Sequence, residues 1–137
     1  MLNKIDHVGI ATAGIKEALS FWTAGLNLEC VHEESVPSQQ VNTAFLPVGE
    51  TNVELLEGTS PESPIAKFVE KRGAGIHHIC FEVPDIAVAL ERLKSCGFQL
   101  IDEKPRIGAH GRLVAFVHPK SSGGVLIELC QKVEVLK

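Results

Sequence analysis

The chain has no tyrosine, one tryptophan and one methionine among 137 residues, and aromatic residues make up only 5% of it. It also lacks positive charge in excess: the formal net charge is −4. Nucleic-acid binding, which needs a basic surface and stacking rings, is therefore disfavoured. No run reaches the roughly 18 apolar residues of a membrane span. The opening Met1-Leu2-Asn3-Lys4-Ile5-Asp6 has neither the apolar stretch of a signal peptide nor an Arg-rich presequence. These absences lead to the expectation of a cytoplasmic protein with no membrane partner. Cys30, Cys80, Cys96 and Cys130 form no C-x-x-C pair, so they read first as small buried apolar residues in a reducing compartment. Cys80 and Cys130 also share strand parity with two of the polar residues discussed below.

What is present is an internal repeat. Asp6-His7-Val8-Gly9-Ile10 is echoed by His77-His78-Ile79-Cys80-Phe81, and the pairs His7 and His78, Ile15 and Ile86, Trp22 and Leu93 all stand at one constant separation along the chain. Ala44-Phe45 matches Ala115-Phe116 at that same separation, and Val53-Glu54-Leu55 matches Ile127-Glu128-Leu129 at a slightly larger one, after a longer loop. Each copy reads as a βαβββ unit. The first has strands at 3–12, 28–36, 41–48 and 52–57, with an amphipathic helix from Ile15 to Trp22 ended near Gly25. The second has a strand at 76–83, a helix at 85–96 and strands at 98–103, 112–118 and 125–130. Ser63 as N-cap and Pro64 at the first helical position open a connecting helix, which Gly73-Ala74-Gly75 ends.

The expected fold class is α+β: two tandem βαβββ modules forming a curved mixed sheet, with helices on its outer face. One domain is expected over 1–137, divided into module one at 1–59, the connecting helix at 60–74, module two at 75–131 and a tail at 132–137. One module alone would leave a sheet face unburied, so the two should share an interior.

Strand alternation puts Val8, Ile10, Ile79 and Phe81 on the helix side and His7, His78, Glu54 and Glu128 on the other. Two buried carboxylates beside one another need a compensating cation, and two imidazoles supply further donors. A divalent metal is expected: Co, Mn, Zn or Ni suit imidazole and carboxylate, and the absence of thiolate among the four argues against a closed structural zinc site. His77 competes with His78, but the repeat aligns His78 with His7 and His77 with Asp6 on the helix side. His32 reads as exposed, His118 as structural before Pro119. His110, in Gly108-Ala109-His110-Gly111, lies on a loop able to close over a ligand.

These residues resemble the vicinal oxygen chelate superfamily of glyoxalases, bleomycin-resistance proteins and dioxygenases. Within it, Ile5-Asp6-His7-Val8-Gly9-Ile10-Ala11 is generic, and Gly75-Ile76-His77-His78-Ile79 belongs to the same pattern. Three segments are more specific: Asp102-Glu103-Lys104-Pro105-Arg106-Ile107-Gly108, His118-Pro119-Lys120-Ser121, and Gly124-Val125-Leu126-Ile127-Glu128-Leu129. They are similar to the epimerase branch whose members act on methylmalonyl-CoA. The resemblance implies inversion at the carbon between a carboxylate and a CoA thioester through a chelated enolate. It implies His7, Glu54, His78 and Glu128 as metal ligands, Glu128 also as acid/base, and Lys120 as a contact for CoA phosphates. A homodimer is expected from open sheet edges. Some epimerases carry a Glu on the third strand, near Asn42 here, and several carry Gln where this chain has Glu54. That ligand set also matches a glyoxalase I, which is the alternative activity; a non-catalytic small-molecule-binding resistance protein is a third reading.

Overall fold

The computed structural model describes residues 1–133. Residues 134–137 of the expected tail lie outside the described residues. The protein is mixed α+β and divides into two compact units: residues 7–77, and residues 1–6 together with the chain from His78 onward.

In the first unit, β1 (Lys4–Ala11) runs into α1 (Ile15–Ser20), which continues as one π-helical turn, Phe21–Gly25. Then come β2 (His32–Val36), β3 (Val41–Val48), β4 (Thr51–Gly58) and the connecting helix α2 (Pro64–Arg72). The strands bond in the order β2-β3-β4-β1, with β1 and β4 parallel and the hairpins antiparallel. The second unit repeats this with β5 (Gly75–Glu82), α3 (Ile86–Ser95), β6 (Arg106–Ile107), β7 (Leu113–Val117) and β8 (Ile127–Gln131), in the order β5-β8-β7-β6. Again the first and last strands of the copy, β5 and β8, pair in parallel.

The apolar stripe of α1 packs with Ile10, Ala44, Leu46 and Leu55, and that of α3 with Phe81, Ala115, Val117 and Leu129. These are the faces opposite Glu54 and Glu128, as alternation requires. Helix α2 is the exception to outer-face packing. Its Ile65, Phe68 and Val69 meet Ala11, Val41 and Leu56, which alternate with the residues under α1. Ser63 caps it as expected, its hydroxyl accepting from the N–H groups of Ile65 and Ala66.

Both α1 and α3 start on a device that the repeat pattern did not reveal. Glu57 at the end of β4 accepts the Ile15 N–H at 2.7 Å, and Gln131 at the end of β8 accepts the Ile86 N–H at 2.9 Å. Glu57 and Gln131 are repeat equivalents, separated along the chain by the same offset as Glu54 and Glu128. A side-chain oxygen thus anchors each helix to the strand that carries its unit's carboxylate.

Two expected strands changed. Only Leu100 of 98–103 makes a ladder contact, an isolated bridge to Val117. The Ile101 and Asp102 N–H groups both turn to the Phe116 carbonyl, and the Asp102 carboxylate accepts the Phe116 N–H at 2.8 Å. A side chain has taken the place of a strand's carbonyl, so the edge position passes beyond Pro105 to Arg106–Ile107. The strand expected at 28–36 begins only at His32, because Asn27 is left-handed at φ 58° and Leu28 is drawn into the α1 core.

Replacing Glu57 with Ala should lower unfolding stability by about 1–2 kcal/mol, the range of a lost helix cap, whereas Glu57→Gln should retain most of it. Denaturant unfolding of both variants checks this. An equal loss in the Gln variant would show that charge, rather than an acceptor oxygen, holds the helix.

Candidate metal centre

The parallel pairing in each unit fixes which residues share a face. In the first, Gly9 is opposite Glu54, so His7, two residues before Gly9, stands on the same side as that carboxylate. His7 Nδ1 lies 3.0 Å from Glu54 Oε2, and both residues are buried. In the second unit Cys80 is opposite Glu128, and His78 Nε2 lies 3.1 Å from Glu128 Oε1, again with both residues buried. Each carboxylate has a phenylalanine as its antiparallel neighbour, Phe45 for Glu54 and Phe116 for Glu128. The Phe116 ring stands edge-on to His78, with centroids 5.8 Å apart. Each unit therefore holds one imidazole nitrogen against one carboxylate oxygen on an apolar background. That is the donor chemistry of a divalent-cation ligand pair, so the residues present fit such an ion.

His77 is separated from its neighbour as alternation demands. It is half-buried and edge-on to Phe68 of α2, with ring centroids 5.0 Å apart. Asp6, expected on the helix side, is instead buried against Arg112, whose Nη1 donates to Oδ1 at 2.5 Å. Burial by itself would lower the Arg112 guanidinium, but the Asp6 carboxylate outweighs it and holds the group above its ordinary range. A buried acid here finds its cation inside the protein.

Cys80 and Cys130 lie on the His78 and Glu128 side, as expected, and pack together with Val114. Cys80 shares a hydrogen bond with Cys130, which together with burial and the nearby Glu128 pushes its pKa far above that of a free thiol. Cys130 is shifted down, chiefly by the same hydrogen bond. Cys80 therefore remains a neutral thiol and acts as packing beside Glu128.

Asn42 does not stand on the carboxylate face. It pairs with Glu57 across the hairpin, donating to Glu57 Oε2 at 3.1 Å, and it also bonds Ser35. Among Val41, Thr43 and Phe45, the third-strand residues on the side of Glu54, the polar one is Thr43, opposite Leu56 and 5% exposed. Its parity with Phe45 was the available signal for this assignment. Glu57, occupied by the α1 N-terminus and Asn42, is turned away from Glu54.

His110 is exposed, in a left-handed conformation at φ 58° within the turn Ala109–Gly111. Beneath that turn Gly108 approaches Val114 so closely that an added Cβ would lie 2.8 Å from its methyl groups. Lys120 is exposed in the turn Pro119–Ser122, where its N–H donates to His118 Nδ1 at 3.1 Å. His118 thus has the structural role expected of it. His32 lies on β2 with Glu34 Oε1 3.6 Å away.

With this geometry, residues 6–116 match the family described as Glyoxalase/Bleomycin resistance protein/Dioxygenase superfamily, and the chain belongs to it. An ethylmalonyl-CoA/methylmalonyl-CoA epimerase from Cereibacter sphaeroides is 41% identical over 96% of this chain and 99% of its own. A methylmalonyl-CoA epimerase solved in complex with methylmalonyl-CoA and NH4+ is 33% identical, with a TM-score of 0.92 over 98% of both chains. A substituted form of the Streptomyces coelicolor methylmalonyl-CoA epimerase, solved with 2-nitronate-propionyl-CoA, is 32% identical. Its TM-score is 0.93, over 100% of this chain and 99% of its own.

Proposed function

We propose that this chain is a divalent-metal-dependent epimerase of methylmalonyl-CoA, with His7, Glu54, His78 and Glu128 as the ligands of one ion. The observation that carries the reading is the buried His–Glu pair that each unit presents at the same register, in a chain similar along nearly its whole length to epimerases of that substrate. A divalent ion, when bound, supplies a fixed positive charge against the one that develops on the substrate oxygens.

The remaining chemistry belongs to side chains. Glu128 takes the proton from the carbon between the carboxylate and the thioester. The C–H bond breaks, its electron pair spreads toward the thioester carbonyl, and a water gives a proton to the opposite side of the carbon to form the epimer, while protonated Glu128 returns its proton to solvent. His78, 3.1 Å away, holds the Glu128 carboxylate in place, and the edge-on Phe116 ring keeps its surroundings apolar. Exposed Lys120 meets the CoA phosphates as a mobile cation, and the His110 turn closes over the acyl-CoA.

Association as a homodimer is part of the same reading, supported by the edge strands β2 and β6. So is a cytoplasmic location, supported by four free cysteines. Among the described residues no helix is long and apolar enough to cross a membrane.

Metal-loaded protein incubated with methylmalonyl-CoA in D₂O should exchange the α-proton and interconvert the two epimers, as read by NMR. No exchange, together with turnover of a glutathione hemithioacetal, would contradict the reading and establish the glyoxalase I activity that the same ligand set allows. Glu128→Gln should weaken metal binding modestly and lower turnover by more than about 100-fold, the span of general acid–base catalysis. Full recovery of turnover in excess metal would reduce Glu128 to a ligand.

A further inference from the structure

Each ligand histidine follows a residue whose side chain is held by a group far along the chain, and the two copies hold it differently. His77, before His78, meets the ring of Phe68 edge-on. Asp6, before His7, is its equivalent in the repeat and is a carboxylate only 4% exposed. Its partner is Arg112, 106 residues away, which donates from Nη1 to Oδ1 at 2.5 Å. Arg112 is itself the repeat equivalent of Val41, one of the apolar residues that pack with α2. The cation is thus present in the copy that receives an acid.

Asp6 stands where a further metal ligand could stand. One of its carboxylate oxygens lies within 4.8 Å of a ring nitrogen of His7, its neighbour in the chain, and of Cys80 Sγ. Cys80 is in turn the residue opposite Glu128 in the β5/β8 ladder. Glu54 and Glu128 already balance the two charges of a divalent ion, and a catalytic metal site keeps a coordination place open for its substrate. A third carboxylate would fill such a place and make the centre net negative, weakening its pull on substrate oxygens. A charge-assisted bond to a guanidinium is a strong competitor for that carboxylate. The guanidinium is also presented from a closed turn, because the Gly108 N–H donates to the Arg112 carbonyl at 2.8 Å and the Arg112 N–H to the Ala109 carbonyl at 3.2 Å.

We propose that Arg112 is a positioning residue that keeps Asp6 out of the coordination sphere of the ion, so that a place stays open for the oxygens of the acyl-CoA. The inference rests on the proposed metal-dependent reaction. Arg112 acts through Asp6 and needs no contact with the substrate. Its removal turns an ion-paired carboxylate into a competing ligand, and removal of both charges reopens the place.

The test compares wild type, Arg112→Met, Arg112→Lys and the double variant Asp6→Asn/Arg112→Met. Methionine keeps an unbranched stem without the charge, lysine keeps the charge, and asparagine removes the anionic ligand. Two quantities are read: affinity for cobalt(II), by chelator competition, and affinity of the cobalt-loaded protein for 2-nitronate-propionyl-CoA, by calorimetry. Arg112→Met should hold cobalt(II) about 10- to 100-fold more tightly, the range over which groups beside metal ligands act, and should lose a similar factor in analogue affinity. Arg112→Lys and the double variant should return both to within a few-fold of wild type. A merely structural ion pair predicts instead that Arg112→Met loses both affinities. Cobalt(II) binding that is weaker or unchanged in Arg112→Met, unchanged analogue affinity, or a double variant as impaired as the single one overturns the proposal. An Arg112→Met protein that stays unfolded in the presence of cobalt(II) also overturns it, because the ion then does not take up Asp6. Wild type that binds cobalt(II) and the analogue without epimerising methylmalonyl-CoA defeats the proposed reaction alone, and the two affinities still decide the role of Arg112. Wild type that binds no cobalt(II), or no analogue when loaded, defeats both.

Discussion

A buried imidazole held against a buried carboxylate by two parallel strands is the constraint on which the rest of this structure depends. Carboxylates are rarely buried without compensation, and each unit buries one with a histidine as its immediate neighbour. The β1/β4 and β5/β8 registers make that contact possible, and a slip of one residue in either would turn the acid toward the helix. Much of the surrounding architecture holds that register. Glu57 and Gln131, three residues beyond the carboxylates, tie α1 and α3 to the strands that carry them. Phe45 and Phe116 flank the acids on the neighbouring strand, and the cores beneath α1 and α3 fill the opposite face.

The fold was legible in the sequence wherever backbone period and repeat spoke together. The parity of His7, Glu54, His78 and Glu128, the Ser63 cap and the separation of His77 from His78 all follow from alternation, cap chemistry and the constant spacing of the two copies. It was illegible where a side chain substitutes for backbone. The Asp102 carboxylate accepts a strand N–H and thereby removes the strand expected around it. Asp6 escapes its expected helix-side setting because Arg112, far along the chain, supplies an ion-pair partner. No local pattern carries that information. The Glu57 and Gln131 anchors were concealed for another reason, since they serve the same end with different residue types.

The third strand shows how one residue of register changes a functional argument. Asn42 lies beside the position at which a polar group could serve the carboxylate face, yet its side chain joins Glu57 in anchoring α1. Thr43 has the right parity, and its hydroxyl distinguishes it from Val114, the equivalent residue of the other copy. Duplication can produce a symmetric set of metal ligands, but inversion at carbon is an asymmetric task, and differences between the copies are where that asymmetry has to reside. Val114 with two packed thiols in one copy, and buried Thr43 in the other, is such a difference.

The central claim is that the two His–Glu pairs serve a single ion. Metal-to-protein stoichiometry after loading and exhaustive dialysis tests it most directly, with wild type, His7→Ala, His78→Ala and His77→Ala side by side. The account predicts one divalent ion per chain, lost on removal of either His7 or His78 and retained without His77. Two ions per chain, or one ion that survives in the His78→Ala protein and is lost from the His77→Ala protein, would contradict it.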